Sequence, residues 1–193
     1  ALAARHAIHL ALWLVIVNTA WLTFAAQYAV PLEWFSPDTS IALAGLAFWG
    51  LLIGRDYLVT QRGQDWLALL WTRILLTLAA IGHLGLISFK AILEQDGLGF
   101  GAMLGLAGFW LGCVLIAIRD GKSRKSFANA SMAAAAITFM TGTLLIRLLL
   151  EVSDSSEHAV LILGTLGCLA LLALFAGWLR RRLRAFAIEG EGA

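Results

Sequence analysis

Apolar runs of membrane length alternate with short polar stretches along the whole chain. A helix needs about 20 predominantly apolar residues to cross a bilayer core. Six runs meet that length, at about 7–29, 37–58, 66–93, 100–118, 127–150 and 158–179. The pattern predicts an all-α polytopic membrane protein, a six-transmembrane-helix bundle forming one membrane-embedded domain over residues 1–193. The start of the second helix is the best marked. In "SPDTS", Ser36 suits the N-cap, Pro37 the first helical position and Asp38 the positive end of the helix dipole. The only prolines, Pro31 and Pro37, fall in one connection, so continuous helices are expected.

Composition agrees with this reading. Of 193 residues, 61% are hydrophobic and 13% charged, against about 45–50% and 25% in soluble domains. A net charge of +2 gives no reason to expect nucleic acid as a partner. Cys113 and Cys168 both lie within apolar runs, so no disulfide framework is implied. The first run is long, contains Asn18 and lacks a clear cleavage site. It reads as a retained span rather than a secretory signal.

Charge along the chain sets an expected orientation. Basic residues mark Arg5, then Arg55 and Arg62, then the "RDGKSRKS" turn, then "RRRLR". The intervening connections hold Glu33 and Asp38, then Glu94 and Asp96, then Glu151, Asp154 and Glu157. Lys and Arg are retained on the cytoplasmic side, so both termini are expected there, in a bacterial-type cytoplasmic membrane. Arg119, Lys122, Arg124, Lys125, Arg180, Arg181, Arg182 and Arg184 are candidate contacts for anionic lipid headgroups.

Helices in lipid associate by close packing and polar contacts. In the fourth helix Gly97, Gly101, Gly105, Gly108 and Gly112 lie within about 40° of one line at 100° per residue. This predicts a smooth groove in which another helix lies, from this chain or from a partner subunit. Ala47, Gly50 and Gly54 repeat the pattern more weakly in the second helix. In the fifth, Ala133 and Ala136 share a face with Asn129, Met140, Thr143 and Arg147.

Polar groups within spans are costly and are therefore candidate sites. Asn18 lies near the middle of the first helix, where an interhelical hydrogen bond is expected. Lys90 and Arg147 each have a carboxylate four residues on, Glu94 and Glu151, as helical pairing would arrange. Arg73 is placed to snorkel or to hold an anionic headgroup. His83, in "LAAIGHLGLI", lies about four turns from either end of its span, too deep to snorkel. Small residues, Ala79, Ala80, Gly82 and Gly85, leave room beside its ring. Three roles are open to it: a neutral imidazole bonded to another helix, a proton or substrate site, or a single axial ligand to a tetrapyrrole metal, haem or bacteriochlorophyll. Met140 is the alternative second ligand. In the A-x-x-x-H detail of Ala79 and His83 alone, the chain resembles light-harvesting helices that hold bacteriochlorophyll.

The chain carries no G-x-S-x-G, H-E-x-x-H, CxxC or phosphate-binding glycine loop, and no His/Asp/Glu cluster with metal spacing. No catalytic set can be assembled. The leading expectation is a non-catalytic accessory or scaffold subunit, with lipids and other transmembrane subunits as partners. The alternatives are a small-solute transporter or channel with a polar path around His83, Arg73 and Asn18, and a tetrapyrrole-binding subunit through His83.

Overall fold

The computed structural model describes residues 2–32, 35–62, 70–93, 99–121, 126–152 and 157–191. The described elements are helical: α1 (Leu2–Phe24), α2 (Pro37–Arg62), α3 (Leu70–Leu93), α4 (Phe100–Asp120), α5 (Phe127–Val152) and α6 (Glu157–Glu191). Among the described residues six helices are long and apolar enough to cross a membrane, and the protein is an integral membrane protein.

The helix ends follow local chemistry. Ser36 caps α2, its Oγ accepting from the Thr39 amide at 3.1 Å, and Pro37 opens the first turn. Two expected boundaries need correction. α2 runs to Arg62, a turn beyond the expected end, so Arg62 is helical, and Arg55 is buried rather than free at the membrane edge. α6 does not stop near residue 179 but continues through the arginine cluster to Glu191. Its 35 residues span about 52 Å, well beyond a hydrocarbon core of about 30 Å. Nor is the first span a uniform α-helix. Ala25–Ala29 forms a π-helical turn, closed by the Val30 amide donating to the Ala25 carbonyl at 2.9 Å.

The chain divides into two compact units, Ala1–Gly112 and Cys113–Ala193. In the first, α2 and α3 form an antiparallel pair. Its interior holds Ala42, Leu52, Leu76, Ala80, Leu84 and Ile87. The glycine face of α4 lies against both helices. A Cβ on Gly101 would collide with the Thr39 backbone, and one on Gly105 would lie 2.5 Å from Ile87 Cγ2. One on Gly108 would lie 2.9 Å from Leu46 Cδ2, and one on Gly112 would strike the Trp49 indole. Gly97 lies outside the described residues.

On α2 the close-packing glycine is not Gly50 or Gly54, which have nothing within 4 Å, but Gly45. A Cβ there would lie 2.6 Å from Leu84 Cγ and 3.1 Å from His83 Cβ. Gly45 and Gly54 are nine residues apart, half a turn out of phase at 100° per residue, so only one of them can face α3.

In the second unit α5 and α6 pair antiparallel. A Cβ on Gly142 would lie 3.3 Å from Cys168 Sγ, and one on Gly164 would lie 3.4 Å from Ile146 Cγ1. At the other end Phe127 meets Trp178 and Phe186, with ring centroids 5.7 Å and 5.2 Å apart. Asn129, Ala130, Ala133 and Met140 are buried on α5.

Candidate functional site: a polar seam between α2 and α3

Contacts at three levels tie α2 to α3, and each step along one helix is matched by an opposite step along the other. At one end Lys90 Nζ donates to both oxygens of Asp38, at 2.9 and 3.0 Å. At the middle Gly45 lies against His83. At the other end Arg73 donates to Asp56 Oδ2 at 3.1 Å, while Arg55 donates to its Oδ1 at 2.6 Å. Asp38 and Asp56 are 18 residues apart, five whole turns at 100° per residue, so both carboxylates stand on the face of α2 that meets α3.

Distances along α3 follow from its rise. Arg73 lies about 15 Å from His83, and His83 about 10 Å from Lys90. Thr72 shares the face of His83 and Lys90 at 100° per residue, whereas Thr77 and Ser88 stand about 120–140° round the helix from His83. Thr72, Thr77 and Ser88 are all buried. Ser88 Oγ donates to the Leu84 carbonyl at 2.7 Å, whereas Thr77 Oγ1 has no hydrogen-bond partner among the described residues. The two ends differ in exposure: the Arg73 and Asp56 side chains are 13% and 15% exposed, those of Lys90 and Asp38 44% and 25%.

His83 makes its hydrogen bond within its own helix, not to Asn18 or to another span. Its Nδ1 lies 2.7 Å from the Ala79 carbonyl. A carbonyl only accepts, so Nδ1 carries the proton, and a neutral ring has its lone pair on Nε2. This is the orientation that suits imidazole to accept a proton or bind a single metal centre through Nε2. The bond uses the backbone of Ala79, so the alanine side chain of the A-x-x-x-H pair contributes only space. The Phe48 ring lies 5.3 Å from the imidazole, tilted by 37°. Among the described residues no three His, Cys, Asp or Glu side chains group as metal ligands.

The other sequence candidates are placed as follows. Arg73 is bound to Asp56 rather than presented alone to a headgroup. Lys90 reaches Asp38, a partner on another helix, while Glu94 lies outside the described residues. Arg147 pairs with Glu151 at 2.6 Å, as the i, i+4 spacing predicts. Asn18 is apart from the seam, on a cavity between α1 and α2, with Oδ1 buried and no hydrogen-bond partner among the described residues. Arg180, Arg181 and Arg184 are exposed on α6, and Arg182 is half-buried. Arg119 is exposed, 3.5 Å from buried Asp120. Lys122, Arg124 and Lys125 lie outside the described residues. Sequence reasoning missed Asp56 and Gly45 as members of the seam, and it assigned Lys90 to Glu94 rather than to Asp38.

No protein-family model, curated protein or solved structure matches this chain.

Proposed function

We propose that the protein is a small-solute transporter or channel whose route follows the α2–α3 seam, from Asp56 and Arg73 past His83 to Asp38 and Lys90. The observation that carries this reading is an ion pair at each end of one intramembrane seam with a titratable ring between them. Ionisable groups within spans are expensive, and they mark proton and ion pathways where they line up. Buried Thr72 supplies a hydroxyl on the same face of α3 as His83 and Lys90. A proton is the cargo these groups suit best: the imidazole can relay it, and the Asp38 and Asp56 carboxylates can take it up once their cationic partners release them. The ion pairs act as gates that must open for passage.

An accessory subunit would use an open packing face. The glycine face of α4 is instead occupied by α2 and α3 from Gly101 to Gly112. In this reading the Arg73 end is cytoplasmic, as the positive-inside rule requires, and Arg180, Arg181 and Arg184 contact anionic headgroups there.

The test is water access to position 83. His83→Cys, placed in a Cys113→Ala/Cys168→Ala background, should react with a membrane-impermeant thiol reagent. Vesicles containing the wild-type protein should pass protons under an imposed potential, and His83→Phe should abolish that flux. A thiol at position 83 that stays unlabelled in folded protein, together with flux no higher than in empty vesicles, would sink the proposal.

A further inference from the structure

A cavity of about 330 Å³, open on one side, lies between α1 and α2. Leu14, Asn18 and Trp21 of α1 and Ala44, Ala47 and Phe48 of α2 are among its walls. Among the described residues lining it, Asn18 is the polar side chain with a buried atom left without a hydrogen bond. Trp21 already donates its indole N–H to the Ser40 carbonyl at 3.0 Å. Asn18 Oδ1 is buried and has no hydrogen-bond partner among the described residues. The residue lies well inside the candidate span Leu12–Ala29, where the surrounding solvent is lipid chain rather than water.

The contents of this cavity are constrained by what its walls offer. At about 30 Å³ per molecule, water would need some ten molecules to fill it, and each buried water makes about three hydrogen bonds. One amide cannot support such a cluster. An acyl chain would fill the volume but leave the amide unpaired in a low-dielectric setting. A charged head is also disfavoured, because no lining residue carries a charge. An uncharged amphiphile satisfies both demands, its body against the apolar walls and its oxygen on the amide. Trp21 and Phe48 make part of those walls aromatic, which suits a flat ring.

We propose that this cavity binds an uncharged, membrane-dissolved molecule with a ring head, a carbonyl or hydroxyl oxygen on that ring, and an apolar tail, seated with the oxygen on Asn18. The site does not depend on the seam being a transport route. The two share one wall, since Phe48 faces the cavity and contacts His83.

The probe is decylubiquinone, whose fully substituted ring does not add thiols, with decylbenzene as the matched hydrocarbon without oxygens. Binding to the purified full chain is read from the ligand-dependent rise in unfolding temperature. The wild type should bind the quinone about fivefold more tightly than the hydrocarbon, the effect of one net hydrogen bond. Asn18→Leu should remove that preference, and Ala47→Phe, which fills the cavity, should weaken both ligands at least tenfold. Equal affinities in the wild type would mean an apolar groove for acyl chains and would overturn the proposal. So would binding of neither ligand, including the case in which a second copy of the chain covers this face. A preference that survives Asn18→Leu would place the oxygen elsewhere and overturn it too.

Discussion

Asp56 is held by two guanidinium groups, Arg55 at 2.6 Å and Arg73 at 3.1 Å, and all three side chains are largely buried. Removing one partner from a buried ionic cluster strands the charges that remain, at a cost of about 3–5 kcal/mol. Asp38 and Lys90 are more exposed, and such pairs contribute about 0–1 kcal/mol. Asp56→Asn should therefore lower unfolding stability by about 3 kcal/mol, and Asp38→Asn by less than about 1 kcal/mol. Denaturant titration in mixed micelles measures both, and equal losses would show that burial does not distinguish the two ends. Arg73 and His83 were legible in the sequence because a charged or polar side chain stands out in an apolar run. Asp56 was not, because "GRD" at the end of a span reads as a charged stop. The readable signal was its phase with Asp38, five turns away on the same face. The partner of His83 was also hidden, because a bond to its own backbone leaves no trace in side-chain spacing.

At the scale of elements, the same substitution should have opposite signs at two glycines. On α4, a Cβ at Gly101 would meet the backbone of Asp38 and Thr39, which no rotamer change can move aside. Gly101→Ala should destabilise by about 1–3 kcal/mol as α4 is pushed off the start of α2. Gly50 on α2 has nothing within 4 Å of its Cβ position. Gly50→Ala should be neutral or stabilise by up to about 1 kcal/mol through helix propensity. Unfolding midpoints of the two variants decide this, and a matching loss in both would mean that the glycine face is not a packing surface. The periodic glycines of α4 were readable because five recurrences fix a face. Gly45 was not, since one glycine fixes none, and only the position of α3 shows which side of α2 is covered. The π turn at Ala25–Ala29 had no cue either, for "AAQYA" contains no proline or glycine. The continuation of α6 was missed because an arginine run marks the edge of the membrane, not the end of hydrogen bonding.

For the whole molecule, six membrane-length helices place the two chain ends on the same side if each one crosses. Which side is a matter of charge rather than of fold, since helix packing is indifferent to inside and outside. The end of α2 carries Arg55 and Arg62, and the α4–α5 connection carries Lys122, Arg124 and Lys125, while the α5–α6 connection has acidic Asp154 and no Lys or Arg. Basic segments this short resist translocation, and acidic residues contribute little to orientation. If α5 and α6 both cross, the arginines of α6 share a side with the α4–α5 connection, and three basic segments then favour one orientation, against single Lys90 and Arg147 at the opposite ends of their spans. Single cysteines in place of Lys122 and Asp154, in a background lacking Cys113 and Cys168, should then report opposite sides. In right-side-out vesicles an impermeant thiol reagent should label Asp154→Cys at once, and Lys122→Cys only after the membrane is opened. The reverse pattern would invert the molecule and put the Lys90 end of the seam in the cytoplasm. Labelling of both positions before opening would mean that α5 does not cross. The orientation matters to the proposed route because it assigns the ends. With Lys122 inside, cargo entering from the cytoplasm meets the tightly held Asp56 cluster first, and cargo leaving passes the more exposed Asp38–Lys90 pair, which is the easier of the two to open.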